Sequence, residues 1–468
     1  MSRDAIVLYT LAGYNLLLVG IGFWASRKNS DAHDYLLAGG KLGGWVAGLS
    51  ASASSSSAWT LLGVSGAAYA WGASAIWLLP ATLGGFLINW VFVAPRLSVL
   101  ARSEGALTLS EVILPTHLGR WQQPLLRLAS VIVVFCFLFY IAAQFDGAGK
   151  AFTANFGWSA EQSILVGATI VTLYTLVGGF WAVSVTDALQ ALMMVLVAIG
   201  LPAVAVIAAT AEPGAWQTVF SGSLVQDHPG VLALAFVAGT LGIGLGYPGQ
   251  PHVVNRFMAL RDDRALKRGR AIAIGWALIV YTGMLALGWS AKLLIATPGD
   301  GEQALFLAAD TLLPPVMAGL VLAAVLSAIM STADSQLLSA AAAVAHDWRL
   351  SKASSDDTPA RVRWVVMIIA SAAVGLALWV PQDIFSRVLF AWHAVGSAFG
   401  PLLLARLLGR PVSGLSSLLS MLSGFSLTIV FHLMANTPGD WLERLVPLAV
   451  ALMFAFVFPS LGRQRHAS

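Results

Sequence analysis

The chain has 468 residues, of which 58% are hydrophobic and only 10% are charged, and its formal net charge is +4. Soluble domains carry about 25% charged residues, so this composition excludes a water-soluble globular protein. It predicts an all-α polytopic membrane protein, and the small positive charge is then no indication of nucleic-acid binding.

Apolar runs of about 20 residues recur along the whole chain, each long enough to cross a bilayer core of about 30 Å. They predict about 13 transmembrane helices. The predicted spans lie near residues 4–25, 43–70, 74–100, 124–152, 161–179, 183–210, 231–258, 270–296, 314–344, 362–381, 384–407, 412–435 and 441–460.

The lysines and arginines are distributed unequally between the two sides that these spans define. With the N-terminus outside, 21 of the 26 fall in inside loops, which is the bias that positively charged loops show in membrane proteins. One of these predicted inside loops carries Arg256, Arg261 and Arg264. We therefore expect a cytoplasmic C-terminus and a location in the plasma membrane, as in a bacterial inner membrane.

The second predicted span contains a serine tract, SASASSSSAWT, from Ser50 to Thr60. Serine side chains hydrogen-bond the backbone and compete with helical hydrogen bonds. The flanking residues 42–72 contain no charge, so the tract is not a linker between domains. We expect the helix of this span to be broken at membrane depth.

The seventh predicted span contains a second irregular stretch, GTLGIGLGYPGQPHVVNRF at 239–257. Proline removes a backbone donor and clashes with the preceding turn, so this helix must also break. Broken helices at corresponding positions of two halves indicate an inverted-repeat secondary transporter with its site at the breaks. The alternative is that both stretches are kinks or small-residue packing faces.

This pattern predicts a five-plus-five inverted repeat in which the first helix of each repeat is broken. The chain is then a single transporter domain, with no appended soluble domain. Its predicted parts are a peripheral first helix, the two repeats and two further peripheral helices, at 1–30, 43–210, 231–407 and 412–460.

The ninth predicted span contains LSAIMSTADSQLLSA at 326–340. Ala328, Ser331 and Thr332 share one helix face because they stand at i, i+3 and i+4, and Asp334 and Ser335 lie on the adjoining stripe. Hydroxyl, carboxylate and carbonyl oxygens suit a small hard cation. Hydrogen bonding between helices is the alternative role for these side chains.

Five segments resemble the sodium/solute symporter family, and especially its sodium/proline symporters. The two specific ones are GLGYPGQPHVVNRFMA (244–259) and LSAIMSTADSQLL (326–338). The others are the stretch around the serine tract, GGFWAVSVTDALQALMM (178–194) and AWHAVGSAFGPLLL (391–404). The resemblance covers nearly the whole chain and implies a LeuT-like fold with the N-terminus outside.

The resemblance also implies sites for the co-transported sodium ion. The main site falls on carbonyls of Ala53, Ser56 and Ala328 and on hydroxyls of Ser331 and Thr332. Some members have a further cation site, which here falls on Asp187, Ser331, Asp334 and Ser335. Asp187 also fits an alternative role as a carboxylate at a helix N-terminus.

The substrate residues implied by the sodium/proline pattern come from three predicted spans. Proline symporters carry an aspartate at the position of Ser55 and a tryptophan at that of Ile243. Asp146 stands where the family is apolar, and it either pairs with a nearby lysine or contributes to coupling or specificity. The expected substrate residues are Ser57, Gly63, Tyr140, Tyr247, Gln250 and Pro251, with Ser55 and Asp146 as candidates for coupling or specificity.

The predicted function is sodium-coupled import of a small organic solute, foremost proline or a related amino acid, by alternating access. Alternatives are a proton-coupled symporter of the same fold and a sodium symporter for another organic solute. The expected partners are the solute, sodium and the lipid bilayer, without nucleic acid or an obligate protein partner. No enzyme motif is present, so we do not expect an enzyme.

Overall fold

The computed structural model describes residues 2–26, 37–177, 179–211, 214–295, 301–347, 359–380 and 383–457, and these are almost entirely helical. The only extended pairing in these ranges is one parallel bridge between Leu42 and Leu260. Leu42 N donates to Ala259 O at 3.0 Å, and Arg261 N donates to Leu42 O at 3.0 Å. The bridge connects the N-terminal end of the second span to the C-terminal end of the seventh.

Nineteen α-helices of five residues or more are described, and their bounds follow in chain order. They are α1 (Arg3–Ser26), α2 (Gly44–Ser55), α3 (Val64–Trp71), α4 (Leu78–Leu87), α5 (Ala94–Glu104), α6 (Leu109–Ile113), α7 (Gln122–Phe156), α8 (Ala160–Val177), α9 (Phe180–Ala209), α10 (Ala215–Phe220), α11 (Val231–Gly242), α12 (Pro251–Met258), α13 (Asp263–Leu294), α14 (Ala304–Leu312), α15 (Pro315–Asp347), α16 (Pro359–Trp379), α17 (Ile384–Leu407), α18 (Gly414–His432) and α19 (Trp441–Val457).

Within the described ranges, ten helical segments are long and apolar enough to cross a membrane. The chain is therefore an integral membrane protein, as its composition predicts. The helices follow the expected order of spans, and the number 13 stays a prediction. The predicted orientation rests partly on cations at 27, 28, 349 and 352, which lie outside the described residues.

The break in the second span falls inside the serine tract, as expected. Helix α2 ends at Ser55, and Ser56 has φ −122° and ψ 83°, which are not helical. After Ser57, a π-helical turn from Trp59 to Gly63 leads into α3. The amide of Trp59 finds an acceptor in Ser57 Oγ at 3.1 Å, so a serine of the tract replaces a lost helical hydrogen bond.

The break in the seventh span is also confirmed. Helix α11 continues as a 3₁₀ segment from Ile243 to Gly249, Gln250 is extended, and α12 begins at Pro251. Proline suits the first position of a helix because its missing N–H has no partner there. The two prolines of GYPGQP thus end one helix and begin the next.

Close packing around the second break depends on glycine. A Cβ on Gly249 would lie 2.7 Å from Gly396 Cα, and one on Gly396 would lie 2.8 Å from Gly246 Cα. Real Cβ atoms do not approach other atoms so closely. The 3₁₀ segment can therefore lie against α17 only because these positions lack side chains.

Among the long helices of the described ranges, α15 and α17 are the most buried. Helix α2 packs against α9, α13 and α15, and α7 packs against α15 and α17. This arrangement places both breaks at the centre of the helix assembly.

Helix α13 begins after a capping interaction in which Asp262 accepts from the Ala265 amide at 2.7 Å, which lowers the pKa of that carboxyl.

Candidate functional site

The two helix breaks are joined by Tyr281, a buried residue of α13. Its hydroxyl lies 3.2 Å from Thr60 Oγ1 and 3.5 Å from Ser56 Oγ, on the first broken span. The same hydroxyl lies 3.3 Å from that of Tyr247 in the second break. The Tyr281 side chain contacts both irregular segments. The backbone groups that lose their helical hydrogen bonds at the two breaks therefore belong to one site.

The end of α2 faces two hydroxyls of α15. Ser331 Oγ lies 3.3 Å from Ala53 O and 3.2 Å from Ala328 O. Thr332 Oγ1 lies 3.4 Å from Ala53 O and 3.2 Å from Ser54 O. All of these residues are fully buried. The structure thus brings together four of the five residues expected at the main cation site.

Ser56, the fifth expected ligand, forms the turn directly after these carbonyls. Its amide donates to Ala53 O at 3.0 Å, and its hydroxyl faces Tyr281. The group combines backbone carbonyls and hydroxyls without a carboxylate or imidazole. Oxygen ligands of this kind suit a hard monovalent cation, which would replace the long hydroxyl–carbonyl hydrogen bonds.

The residues expected at the second cation site lie beside this group, but an arginine shares them. Asp187 Oδ2 accepts from Ser50 Oγ at 2.8 Å, Ser54 Oγ at 3.1 Å and Arg256 Nη2 at 2.9 Å. Ser335 Oγ accepts from Arg256 Nη2 at 2.5 Å. Ser335 in turn donates to Asp334 Oδ1 at 3.2 Å.

Two interpretations of these residues need correction. The distribution of cations predicts Arg256 in an inside loop, but it belongs to α12 and only 1% of its side chain is exposed. Asp187 was also interpreted as a helix N-terminal carboxylate, but α9 begins at Phe180, two turns earlier. Its partners are therefore side chains of other helices.

Tyr140 and Tyr247, two of the expected substrate residues, are buried next to the first and in the second break. Tyr140 donates to Ser57 Oγ at 3.4 Å. The ring centroids of Tyr247 and Trp392 are 4.6 Å apart, in an edge-to-face arrangement. Trp392 Nε1 also donates to Ile243 O at 3.2 Å. An aromatic wall thus stands beside Ile243, although that position carries no tryptophan.

Gln250 fills the extended step between the 3₁₀ segment and α12. Its Nε2 donates to Gly246 O of the 3₁₀ segment at 3.0 Å and to Trp392 O of α17 at 2.8 Å, so the side chain links the break to α17. Its Oε1 has no hydrogen-bond partner in the described part of the chain. Pro251 follows as the first residue of α12. Gly63 lies across the first break, where an added Cβ would meet the Trp59 ring at 3.1 Å.

Sequence reasoning missed several residues that complete the site. Gln144 on α7 accepts from the Ala58 amide at 3.0 Å and thereby caps the helix that restarts after the serine tract. Tyr281 and Trp392 are the others. A polar residue within a predicted span indicates a functional position. Gln144 is such a residue, so the sequence could have identified it.

The candidates for coupling or specificity lie in different places. Ser55 is buried at the last turn of α2 and donates to Ser52 O at 3.0 Å. Asp146 on α7 forms an ion pair with Arg387 Nη1 of α17 at 3.3 Å. Lys150, one turn further along α7, pairs with Glu302 at 2.5 Å. Asp146 therefore takes part in an ion pair, but this pair is with Arg387 and not with the expected lysine, Lys150.

Comparisons with known proteins indicate one family. A sequence profile described as "Sodium:solute symporter family" matches residues 35–424. The osmoregulated proline transporter OpuE of Bacillus subtilis is 32% identical over all of this chain and 96% of its own length. The sodium/proline symporter of Escherichia coli is 31% identical, over 99% of this chain and 92% of the relative.

Solved structures share the fold at low identity. A Na⁺-coupled sialic acid symporter in a substrate-bound outward-open state has a TM-score of 0.78 and 18% identity, with 97% of each chain covered. Mhp1, a nucleobase-cation-symport-1 family transporter in a closed conformation, has a TM-score of 0.59 and 12% identity, over 93% of this chain and 95% of the other. The architecture is therefore the LeuT-like inverted repeat with a broken first helix in each half.

Proposed function

This chain belongs to the sodium:solute symporter family, and on that basis we propose that it imports proline together with sodium by alternating access. Membership also confirms that the chain is a transporter rather than an enzyme. Proline is proposed because the full-length relatives above are proline transporters. Another small amino acid is the alternative, because Ser55 and Ile243 replace residues that the proline pattern carries.

One observation carries the sodium assignment. Ser331 and Thr332 of α15 approach the last carbonyls of α2 at 3.2–3.4 Å, deep in the helix assembly. We propose that sodium lies between them, bound by carbonyls of Ala53, Ser56 and Ala328 and by these two hydroxyls. Such a site joins a helix that ends at a break to a continuous helix, so occupancy fixes the two relative to each other.

Proline then binds next to the ion, between the two breaks. Its ring requires apolar and aromatic walls, which Tyr140, Tyr247 and Trp392 supply. Its carboxylate requires a positive potential, and the helix N-termini at Pro251 and after Ser57 supply it through their dipoles. Gln250 and Gly63 are the further substrate residues that we propose.

The proposed transport cycle follows from the serine tract, which both ligands contact. Sodium and proline both contact residues of the serine tract, so each stabilises the conformation that the other binds. This coupling is reciprocal by thermodynamic necessity. In the proposed orientation, with the N-terminus outside, both ligands enter from outside and leave when the core helices rock inward. A bacterial inner membrane supplies the sodium gradient and the potential.

Uptake of radiolabelled proline into proteoliposomes tests this function. We expect accumulation when sodium is outside and potassium inside, and none when potassium replaces sodium at the same pH. Sodium-independent, proton-driven accumulation would overturn the coupling ion. Sodium-driven uptake of a different amino acid, with proline unable to compete, would overturn the substrate alone.

A further inference from the structure

The guanidinium of Arg256 is enclosed by three helices besides its own. It contacts Ser50 of α2 at 3.1 Å, Asp187 of α9 at 2.9 Å and Ser335 of α15 at 2.5 Å. It also donates to the carbonyl of His252 one turn back. Its Cζ lies 5.0 Å from the centroid of the Phe180 ring, a cation–π distance. The side-chain exposures of Arg256 and Asp187 are 1% and 0%.

Two of these partners, Asp187 and Ser335, belong to the expected second cation site. Ser54 joins them, because its hydroxyl lies 3.1 Å from Asp187 Oδ2 and 3.0 Å from Ser335 Oγ. A buried carboxylate needs a positive partner, and removal of that partner is strongly destabilising. The structure provides the partner from within the chain.

We propose that Arg256 is a built-in cation that takes the place of a second mobile ion. Transport then couples to one sodium, bound at the main site. This inference rests on the proposed sodium symport and adds the role of this arginine.

The geometry explains why the guanidinium and a sodium ion exclude each other here. Asp187 Oδ2 and Ser335 Oγ are both within 2.9 Å of Arg256 Nη2. A sodium ion bound to the same two oxygens would lie next to this positive charge, and the two would repel each other. A planar guanidinium also carries five donors, and the surrounding hydroxyl, carboxylate and carbonyl groups accept from it.

A competing arrangement is defined by two oxygens. Asp187 Oδ1 and Asp334 Oδ2 have no hydrogen-bond partner in the described part of the chain. A sodium ion held by these oxygens beside Arg256 would make the arginine a structural neighbour of a second ion rather than its replacement. The number of sodium ions transported separates the two arrangements.

The first test is the flux ratio of radiolabelled sodium to proline in proteoliposomes. One sodium per proline is expected, with a Hill coefficient of about one for sodium activation, as a single mobile ion requires. Two sodium ions per proline would overturn the role of Arg256 and leave the proposed symport intact. Absence of any sodium-driven flux would instead overturn the proposed function.

The second test replaces the arginine, at alkaline pH so that protons do not substitute for sodium. In Arg256→Ala the vacated site needs a mobile ion, so the Hill coefficient should rise toward two. Arg256→Lys keeps the positive charge, so its Hill coefficient should stay at one. The double variant Arg256→Ala with Asp187→Ala also removes the carboxylate that needs a positive partner, so its Hill coefficient should stay at one as well. A coefficient and half-saturating sodium concentration unchanged in Arg256→Ala would overturn the proposal.

A matched control is Arg444 of α19, another buried arginine, which pairs with Asp440 at 2.8 Å. Arg444→Ala should lower stability without changing the Hill coefficient. If a variant of Arg256 does not transport, sodium-dependent thermal stabilisation of the purified protein provides the same coefficient. A steeper sodium dependence of that stabilisation in Arg256→Ala supports the proposal, and an unchanged one contradicts it.

Discussion

The hydroxyl oxygen of Thr332 lies 3.4 Å from the carbonyl oxygen of Ala53, although 279 residues separate the two in the chain. The carbonyl of Ser54 lies 3.2 Å from the same hydroxyl. One side chain of α15 thus meets two backbone oxygens in the last turn of α2. A cation at this contact, as proposed, would hold the two helices together, so the sodium requirement of transport would report on it.

Removing the hydroxyl of Thr332 is expected to weaken sodium binding. Loss of one partner of a charged group costs roughly 1.5–3 kcal/mol, so Thr332→Ala should raise the sodium concentration for half-maximal uptake about ten- to hundredfold. Thr332→Ser should behave as the wild type. Ser56→Ala is the matched control, because the proposed ligand of Ser56 is its carbonyl. An unchanged sodium requirement in Thr332→Ala would place the ion elsewhere.

The hydrogen bond from Tyr140 to Ser57 should influence the substrate more than the ion. Tyr140→Phe keeps the ring and loses about 1 kcal/mol of hydrogen bonding, so the proline concentration for half-maximal uptake should rise about fivefold. Tyr14→Phe is the control, because it removes a tyrosine–serine contact of 2.5 Å to Ser327 outside the site. Equal effects of the two changes on proline would argue against a substrate role for Tyr140.

Gln144 is expected to stabilise the broken second span. Gln144→Leu leaves the Ala58 amide without its acceptor in a buried position, which costs roughly 1–3 kcal/mol. The melting temperature of the purified protein should fall. Gln144→Glu keeps a carbonyl-type acceptor and should lose less stability. Equal melting temperatures for the wild type and Gln144→Leu would show that water or another group caps this amide.

The close approach of Gly249 to Gly396 predicts a steric effect. Gly249→Ala places a Cβ 2.7 Å from Gly396 Cα, and overpacking of this kind costs roughly 1–3 kcal/mol. Gly84→Ala is the matched control, because nothing lies within 4 Å of a Cβ added there. Melting temperatures of the two variants should therefore differ clearly. If Gly249→Ala is as stable as Gly84→Ala, the 3₁₀ segment must be able to move away from α17.

The ion pair of Asp146 and Arg387 predicts a recoverable loss of stability. Asp146→Ala leaves Arg387, with 0% side-chain exposure, without this partner, which should cost roughly 3 kcal/mol. Replacing Arg387 by methionine in the same protein removes the unpaired charge and should restore most of the melting temperature. Proline affinity should be unchanged in this double variant. A stable double variant that no longer binds proline would contradict this and would indicate that Asp146 contributes to substrate binding.

The breaks could be predicted from the sequence because their causes are local. Proline in GYPGQP and the consecutive serines disturb a helix wherever it lies, so both positions agree with the structure. The face shared by Ala328, Ser331 and Thr332 follows from helical periodicity in the same way. These signals need no knowledge of which helices are neighbours.

The remaining residues depend on packing between distant segments. Tyr281 and Trp392 reach the breaks from α13 and α17, and nothing in their own sequence neighbourhoods indicates this. Arg256 stands directly before the cations of a predicted inside loop, so the positive-inside pattern groups it with them. A charge inside a predicted span is itself a functional signal, and the span predicted over 231–258 already contained it.

In the proposed arrangement, Arg256 also sets the energy available for accumulation. Its charge stays with the protein through the cycle, so only the bound sodium draws on the membrane potential. One sodium ion gains about 2.3 kcal/mol from 100 mV and about 1.4 kcal/mol from a tenfold concentration gradient. Together these support about a 500-fold accumulation of a neutral solute. A second ion would square that limit, so the arginine restricts the concentrating power of the transporter while halving the sodium that each solute molecule brings in.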